Sequence, residues 1–283
     1  MLTLPGTQIE IVREPRRSQI RSVLFDFDGT LSLIRQGWQD VMVPMMVDLL
    51  AELDTGETRA ALTAVVTEFV DRLTGKQTIY QMIELCAQIE QRGGTPLEPL
   101  AYKHLYLEAL WARIEHRVQG LKAGTLQAQD LVVPGAYDVL ENLKQRGLAC
   151  YLSSGTDQPY VLDEAAALGL TPYFTHGGQQ HVYGALDQYE RFSKAQVIQD
   201  ILRDNGLLGE QLLAFGDGYV EIEETKRVGG IAIGVATDEE KREGINAWKR
   251  DRLIQAGADV IIADFGEQDA LLAYLLQERG STG

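Results

Sequence analysis

The chain has few of the features expected of an extracellular scaffold or a membrane protein. Only two of its 283 residues are cysteines, Cys86 and Cys150, too few for a disulfide framework. Its longest apolar runs, such as VMVPMMV and VGGIAIGVA, are much shorter than the roughly 20 residues of a membrane-spanning helix. The N-terminal segment lacks the continuous apolar stretch of a signal peptide. We therefore expect a protein of the reducing cytoplasm with no membrane partner.

Positive charge is also scarce. The chain has 26 lysines and arginines against 41 aspartates and glutamates, a formal net charge of −15. Such a charge disfavours binding to nucleic acid or to an anionic membrane surface. An anionic substrate would therefore need a locally positive pocket or a metal ion.

The chain changes its hydrophobic pattern twice. Residues 22–27 form a continuous apolar run, which predicts a strand buried on both faces. From about residue 38 to 118 apolar residues recur at spacings of three and four, which predicts helices, and we expect Pro44 to break or kink the first of them. Beyond the segment VVPGAY, short apolar runs alternate with helical patterns.

This alternation predicts an α/β fold with a doubly wound parallel sheet and an inserted all-helical domain. Residues 1–34 and 125–283 are expected to form the α/β core, and residues 35–124 the helical insert. The later strands are predicted in GLACYLSS, QLLAFGD, GGIAIGVA and ADVIIADF. The core helices are predicted near 135–146, 157–168, 193–206, 219–228, 247–256 and 267–278.

Polar residues concentrate where the predicted strands end. The first strand is followed by Asp26, Asp28 and Gly29, and the second by Ser153 and Ser154. The motif FGDGYVE supplies a further aspartate and glutamate, and the motif FSKAQVI a lysine: Asp217, Glu221 and Lys194. Ligands of open parallel sheets bind beyond the carboxyl ends of the strands, so these side chains predict an active site there.

The chemistry of this set follows from its charges. Several converging carboxylates repel each other unless a cation neutralises them, and hard oxygen ligands suit Mg²⁺. Hydroxyl groups and backbone N–H groups in glycine-rich turns can hydrogen-bond phosphate oxygens. A lysine adds a fixed positive charge. The combination indicates phosphoryl transfer.

The motifs DFDGT, LSSGT, SKAQVI and FGDGYVE occur in the order seen in the haloacid dehalogenase-like (HAD) superfamily, which the chain resembles over nearly its whole length. The resemblance implies a Rossmann-like core with a helical cap and an aspartyl-phosphate mechanism. Asp26 would be the nucleophile and Asp28 the general acid and base. The second aspartate also separates phosphate chemistry from the dehalogenating relatives, which lack it.

The remaining roles come from the same resemblance. Ser153 and Lys194 would hold the phosphoryl group, helped by the backbone of Phe27, Gly29 and Ser154. Mg²⁺ would be bound by Asp26, the backbone carbonyl of Asp28, Asp217 and Glu221. Glu221 stands where many relatives carry aspartate, so either a direct or an indirect role at the metal is left open.

The helical insert corresponds to the cap that closes over the active site in this superfamily and selects the substrate. Its candidate selecting residues are Arg35, Gln36, Trp38 and Lys76. We expect a Mg²⁺-dependent phosphatase that acts on a small phosphorylated metabolite, with sugar phosphates favoured. The alternatives are a sugar phosphomutase of the β-phosphoglucomutase type and a non-catalytic binding module on the same fold.

Overall fold

The computed structural model describes residues 2–15 and 19–276. Eight of its strands form one sheet in the order β1-β2-β10-β9-β8-β3-β4-β7, and two more form a small hairpin, β5-β6. The strands are β1 (Leu2–Thr3), β2 (Glu10–Ile11), β3 (Ser22–Phe25), β4 (Ala149–Asp157), β5 (Thr175–His176), β6 (Gln179–Gln180), β7 (Val182–Ala185), β8 (Leu212–Gly216), β9 (Ile231–Val235) and β10 (Val260–Ile262).

Six neighbouring strands of the sheet, β10 to β7 in that order, are parallel, and β1 and β2 extend one edge in antiparallel pairing. The helices are α1 (Gln39–Ala51), α2 (Arg59–Leu73), α3 (Ile79–Gln91), α4 (Pro99–Lys122), α5 (Ala136–Gln145), α6 (Gln158–Ala167), α7 (Lys194–Asp204), α8 (Tyr219–Arg227), α9 (Ala247–Ala256) and α10 (Gln268–Leu276). The predicted α/β class with an inserted helical block is confirmed, since α1 to α4 all lie between β3 and β4.

The chain crosses from one half of the sheet to the other beside β3. Strand β4 pairs with one side of β3 and β8 with the other, so Phe25 lies opposite Leu152 and Phe215. The Phe25 and Phe215 rings stack with centroids 4.9 Å apart, and Phe174 meets Phe25 edge-on. This buried aromatic cluster lies where β3 and β8 end, while β4 continues to Asp157, and the crevice lies at this point, where the strand order reverses.

Several predicted elements differ in detail from the structure. The predicted strand over 22–27 ends at Phe25, because the chain turns so tightly that the N–H groups of Thr30, Leu31 and Ser32 all donate to the Phe27 carbonyl. Helix α1 runs unbroken through Pro44, so the predicted break is absent. Residues 277 and 278 of the last predicted helix lie outside the described residues.

Strands β1, β2 and β7 of the main sheet were not predicted from the sequence. The short β1 and β2 carry too few residues to show an alternation. Strand β7 follows the small hairpin β5-β6 and joins the main sheet beside β4. Within the described ranges, no helix combines the length and apolar character needed to cross a bilayer.

Candidate active site

The carboxylate of Asp26 lies directly beyond β3, where the residue is only 7% exposed. Its Oδ2 is 2.8 Å from the Nζ of Lys194, the first residue of α7, and its Oδ1 accepts a 2.8 Å hydrogen bond from the N–H of Phe27. Burial raises the pKa of Asp26 above its ordinary value, and the neighbouring carboxylates of Glu221 and Asp217 raise it further, although Lys194 opposes them.

Lys194 bridges two carboxylates. Its Nζ is 2.8 Å from Asp26 Oδ2 and 2.8 Å from Glu221 Oε2. Burial disfavours the charge, but these two anions outweigh it and raise the pKa of Lys194, so the ammonium group is retained. Lys194 is therefore in ion-pair contact with the Asp26 carboxylate.

Glu221 has both carboxylate oxygens engaged. Its Oε1 accepts a 2.7 Å hydrogen bond from the N–H of Gly218, and its Oε2 accepts from Lys194. Burial works against ionisation, yet Lys194 and the backbone donors lower the pKa of Glu221 below its ordinary value. The residue is 1% exposed and is held as an anion.

Asp28 uses its two carboxylate oxygens differently. Its Oδ2 accepts hydrogen bonds from the hydroxyls of Ser154, at 3.1 Å, and Thr156, at 2.8 Å. Its Oδ1 has no hydrogen-bond partner among the described residues, and the nearest cation is the Nε of Arg35 at 3.9 Å. One oxygen of Asp28 is thus anchored and the other is available to a proton or a ligand.

The two serines of LSSGT have different hydrogen-bond partners. The Ser154 hydroxyl donates to Asp28. Ser153 follows Leu152 and so lies level with Asp26, and its buried hydroxyl has no partner in the described chain. An orphaned buried hydroxyl is unfavourable by about 1–3 kcal/mol. Ser153 does not line the cavity of the described structure, while Ser154 does.

The predicted backbone donors are partly occupied. The N–H of Phe27 donates to Asp26, and the N–H of Gly29 donates to the carbonyl of Ser32 at 2.9 Å.

Gly29 itself is constrained by its surroundings: its φ is +73°, and a Cβ there would lie 2.1 Å from Asp217 Oδ2. Glycine is needed at this position both for the backbone conformation and for the close approach of Asp217.

Asp217 follows β8 and has a lysine partner that sequence reasoning missed. The Nζ of Lys249, in α9, is 2.7 Å from Asp217 Oδ2 and 2.5 Å from Glu239 Oε1. Burial raises the pKa of Asp217 to about 6, with Lys249 opposing and Glu239 adding to the rise. Carboxylate oxygens of Asp26, Asp217 and Glu221 lie within 4.8 Å of one another, which is an arrangement able to hold a cation.

The predicted selecting residues all reach the same cavity. Arg35, Gln36, Trp38 and Lys76 line it together with Asp26 and Asp28. Arg35 is buried and donates through Nε and Nη2 to Glu164, with a shortest distance of 2.6 Å. Lys76 is exposed, with its Nζ 5.5 Å from the centre of the Tyr80 ring.

The loop that carries Lys76 lies over the mouth of the crevice. A Cβ added to Gly155 would be 3.1 Å from the Lys76 carbonyl, and one added to Gly75 would be 3.3 Å from the Cα of Gly218. The amide of Gln77 donates to the Phe192 carbonyl at 2.8 Å, just before Lys194. The helical block therefore touches three of the loops that carry the site.

Other functional candidates were not found by sequence reasoning. Thr156 could have been, since it follows the two serines of the same motif. Glu164, Glu239 and Lys249 belong to none of the motifs, and acids or lysines on helices and loops are usually solvated. Gln81 and Tyr106, buried polar residues of α3 and α4 that line the cavity, carry no sequence signal beyond helical periodicity.

The model for haloacid dehalogenase-like hydrolases matches residues 20–229, well over half of the chain. The chain belongs to the haloacid dehalogenase-like hydrolases. The family predicted from the motifs, and with it an enzymatic, hydrolytic activity, is confirmed. A search of curated proteins finds no significant match to this hydrolase.

Solved structures share the fold of this haloacid dehalogenase-like hydrolase at low identity. A predicted phosphoglycolate phosphatase from Haemophilus somnus is 16% identical, with 90% of this chain and 98% of that chain covered and a TM-score of 0.57. A HAD family IA hydrolase from Entamoeba histolytica is 15% identical, with coverages of 90% and 99% and a TM-score of 0.59. A HAD family hydrolase from Deinococcus radiodurans, solved with bound phosphate and sodium, is 19% identical, with coverages of 90% and 95% and a TM-score of 0.53.

Proposed function

We propose that this hydrolase is a Mg²⁺-dependent phosphatase that cleaves a small phosphorylated metabolite, with sugar phosphates the favoured class, through an aspartyl-phosphate. The observation that carries the proposal is the pairing of Asp26 with Lys194 beside an aspartate, Asp28, with one oxygen free. The phosphate bound in the Deinococcus hydrolase of the same fold supports it.

In the first step the Asp26 carboxylate attacks phosphorus and the bond to the leaving-group oxygen breaks. Asp28 gives its proton to that oxygen through Oδ1, since Oδ2 is held by Ser154 and Thr156. In the second step Asp28 takes a proton from water, which attacks the aspartyl-phosphate, and inorganic phosphate leaves as Asp26 is restored.

The phosphoryl oxygens are held chiefly by Lys194, which lines the cavity. Ser153 does not line it, but its buried hydroxyl lacks a partner and would become a second donor to a phosphate bound deeply enough to reach it. The backbone N–H of Ser154 is assigned to the same group. Phe27 and Gly29 contribute their N–H groups only by giving up their present acceptors, so their share is smaller.

The residues fit a magnesium ion, since every donor is an oxygen and Asp26, Asp217 and Glu221 converge. Asp26, Asp217 and the backbone carbonyl of Asp28 would hold it. Glu221, whose two oxygens already have donors, is proposed to orient Lys194 and to act on the metal only indirectly. When bound, Mg²⁺ supplies charge that neutralises the phosphoryl oxygens.

In this proposal residues 35–124 form the cap and residues 1–34 and 125–283 the catalytic core. Arg35, Gln36, Trp38 and Lys76 stand on the cap side of the cavity and select the leaving group. The cytoplasm is the proposed location, because Cys86 and Cys150 are buried free thiols.

Hydrolysis of a generic aryl phosphate with and without Mg²⁺ tests the proposal. We expect Mg²⁺-dependent release of phosphate, and a loss of about 10³-fold or more in kcat for Asp26→Asn, because the nucleophile is removed. Asp204→Asn, a change on the exposed end of α7, serves as the matched control and should leave turnover unchanged.

An inactive wild type with Mg²⁺, or an Asp26→Asn variant as active as the wild type, would contradict the phosphatase. Isomerisation of a sugar phosphate without release of phosphate would contradict it in favour of a phosphomutase.

A further inference from the structure

The cap side of the cavity contains an acceptor that no protein group satisfies. Gln81, the third residue of α3, is 3% exposed and lines the cavity. Its side-chain oxygen, Oε1, is buried and accepts no hydrogen bond within the described chain. A buried amide oxygen left unpaired is unfavourable by about 1–3 kcal/mol, so a ligand that donates to it gains that much.

The phosphoryl group cannot be that ligand. Phosphate oxygens of a monoester dianion accept hydrogen bonds, and the same holds for a carboxylate substituent. Gln81 Oε1 needs a donor, which the leaving group must supply as O–H or N–H. An ammonium group on the leaving group is disfavoured because the cap wall of the cavity already carries the lysine Lys76.

The other groups on the cap wall agree with a neutral, hydroxylated leaving group. Thr78 and Tyr106 add hydroxyls to the lining, and burial raises the pKa of Tyr106, so its phenol keeps its proton. Arg35 is paired with Glu164, with a shortest distance of 2.6 Å, so a protein carboxylate already balances its charge. Among the described residues that line the cavity, the acidic side chains come from the core and none comes from the cap helices.

We propose that Gln81 is a specificity-determining residue whose Oε1 accepts a hydrogen bond from a hydroxyl of the leaving group, so that the enzyme selects polyol or sugar phosphates over alkyl phosphates. This inference rests on the proposed phosphatase function. It adds a named residue and a hydrogen bond to the favoured substrate class.

The test compares phosphates that differ only in hydroxyl groups: glycerol 1-phosphate against propyl phosphate, and ribitol 5-phosphate against pentyl phosphate. Binding with Mg²⁺ is measured by calorimetry in the Asp26→Asn background, so selection is observed without turnover. We expect at least one hydroxylated phosphate to bind about tenfold more tightly than its alkyl partner.

Adding Gln81→Leu should reduce that preference at least about fivefold by weakening the hydroxylated ligand, with the alkyl phosphate unchanged. Gln91→Leu, the same substitution at an exposed position of α3, should leave the preference intact. Gln81→Glu keeps an acceptor and should retain the preference while binding both dianions more weakly, which guards against a merely misfolded Gln81→Leu variant.

The inference is overturned if neither hydroxylated phosphate is preferred, or if Gln81→Leu keeps the full preference. Its failure is distinct from failure of the phosphatase proposal. That proposal is judged on phosphate release by the wild type, whereas this one is judged on the ratio of two binding constants.

Discussion

The core wall and the cap wall of the cavity differ in how their polar residues are held. On the core wall two lysines are each paired with two carboxylates, Lys194 with Asp26 and Glu221 and Lys249 with Asp217 and Glu239, although Oδ1 of Asp28 has no hydrogen-bond partner among the described residues. On the cap wall Lys76 is exposed, and the Gln81 side-chain oxygen has no partner among the described residues.

This difference matches two separate tasks. A wall of paired charges is preorganised for one constant group, because its dipoles need little rearrangement when a charged ligand binds. A wall with unsatisfied neutral groups gains most from a ligand that supplies the missing donor. The core wall therefore suits the phosphoryl group common to all substrates, and the cap wall suits the part that varies.

Hydrogen bonds and an ion pair connect the α/β core to the helical insert, and so hold the two walls of the cavity together. Arg252 of the core helix α9 donates to the carbonyls of Asp71, Arg72 and Thr74, where α2 ends, at 3.0 Å to Arg72 and 2.7 Å to Thr74. These carbonyls lie at the C-terminal end of α2, where the helix dipole makes a cation favourable. On the opposite side Lys103 of α4 pairs with Asp157 of β4 at 2.5 Å.

The largest effect is expected from Gly29→Ala on the core wall. The new Cβ would displace Asp217, so metal affinity, measured by calorimetry, should fall about a hundredfold and turnover with it. Gly147→Ala is the matched control, because Gly147 has a φ of +72° but open space around it. Both variants should lose about 1 kcal/mol of unfolding free energy through backbone strain. Equal metal affinity in the two variants would show that Asp217 is not held by this contact.

The second prediction concerns pH, which should change metal binding on the core wall but not the substrate preference of the cap wall. Because the pKa of Asp217 is raised to about 6, the residue is protonated at lower pH and then cannot bind a cation. Metal affinity should fall about tenfold from pH 7 to pH 5, as measured by calorimetry. The preference for hydroxylated phosphates depends on the neutral amide of Gln81 and should not change between pH 6 and 8. A metal affinity that is flat between pH 7 and 5 would contradict the assignment of Asp217.

The smallest effect is expected at the contact between Arg252 of the core and the end of α2. Arg252→Ala removes the donor to the carbonyls at the end of α2, so kcat/KM should fall three- to tenfold, about 1 kcal/mol. Hydrogen exchange in the loop at 74–78 should quicken in parallel. Arg203→Ala, on an exposed face of α7, is the control. An unchanged hydrogen-exchange rate in that loop would show that Arg252 does not hold the cap against the core.

Much of the fold was predictable because its signals are local. Continuous apolar runs marked β3, β8, β9 and β10, and three-to-four periodicity marked the inserted helices. Asp26, Asp28 and Asp217 were found because strand ends in a parallel sheet share one edge. Pro44 does not end α1, since packing of α1 in the helical block outweighs the loss of one helical hydrogen bond.

The partners of these residues were not predictable. Nothing in the spacing of Lys249, Glu239 or Glu164 relates them to DFDGT, since more than 100 residues separate them from it. The different hydrogen bonding of Ser153 and Ser154 could not be predicted either, because it depends on which of the two side chains contacts Asp28.

The sequence by itself determined the family, the α/β class with its inserted helices and the placement of Asp26, Asp28 and Asp217 at predicted strand ends, because periodicity and motif position are properties of neighbours in the chain. Only the tertiary structure decided which oxygen of Asp28 is free, which lysine holds Asp217 and that Gln81 faces the cavity without a donor. Those properties depend on ångström-scale contacts between segments that folding brings together from distant parts of the chain.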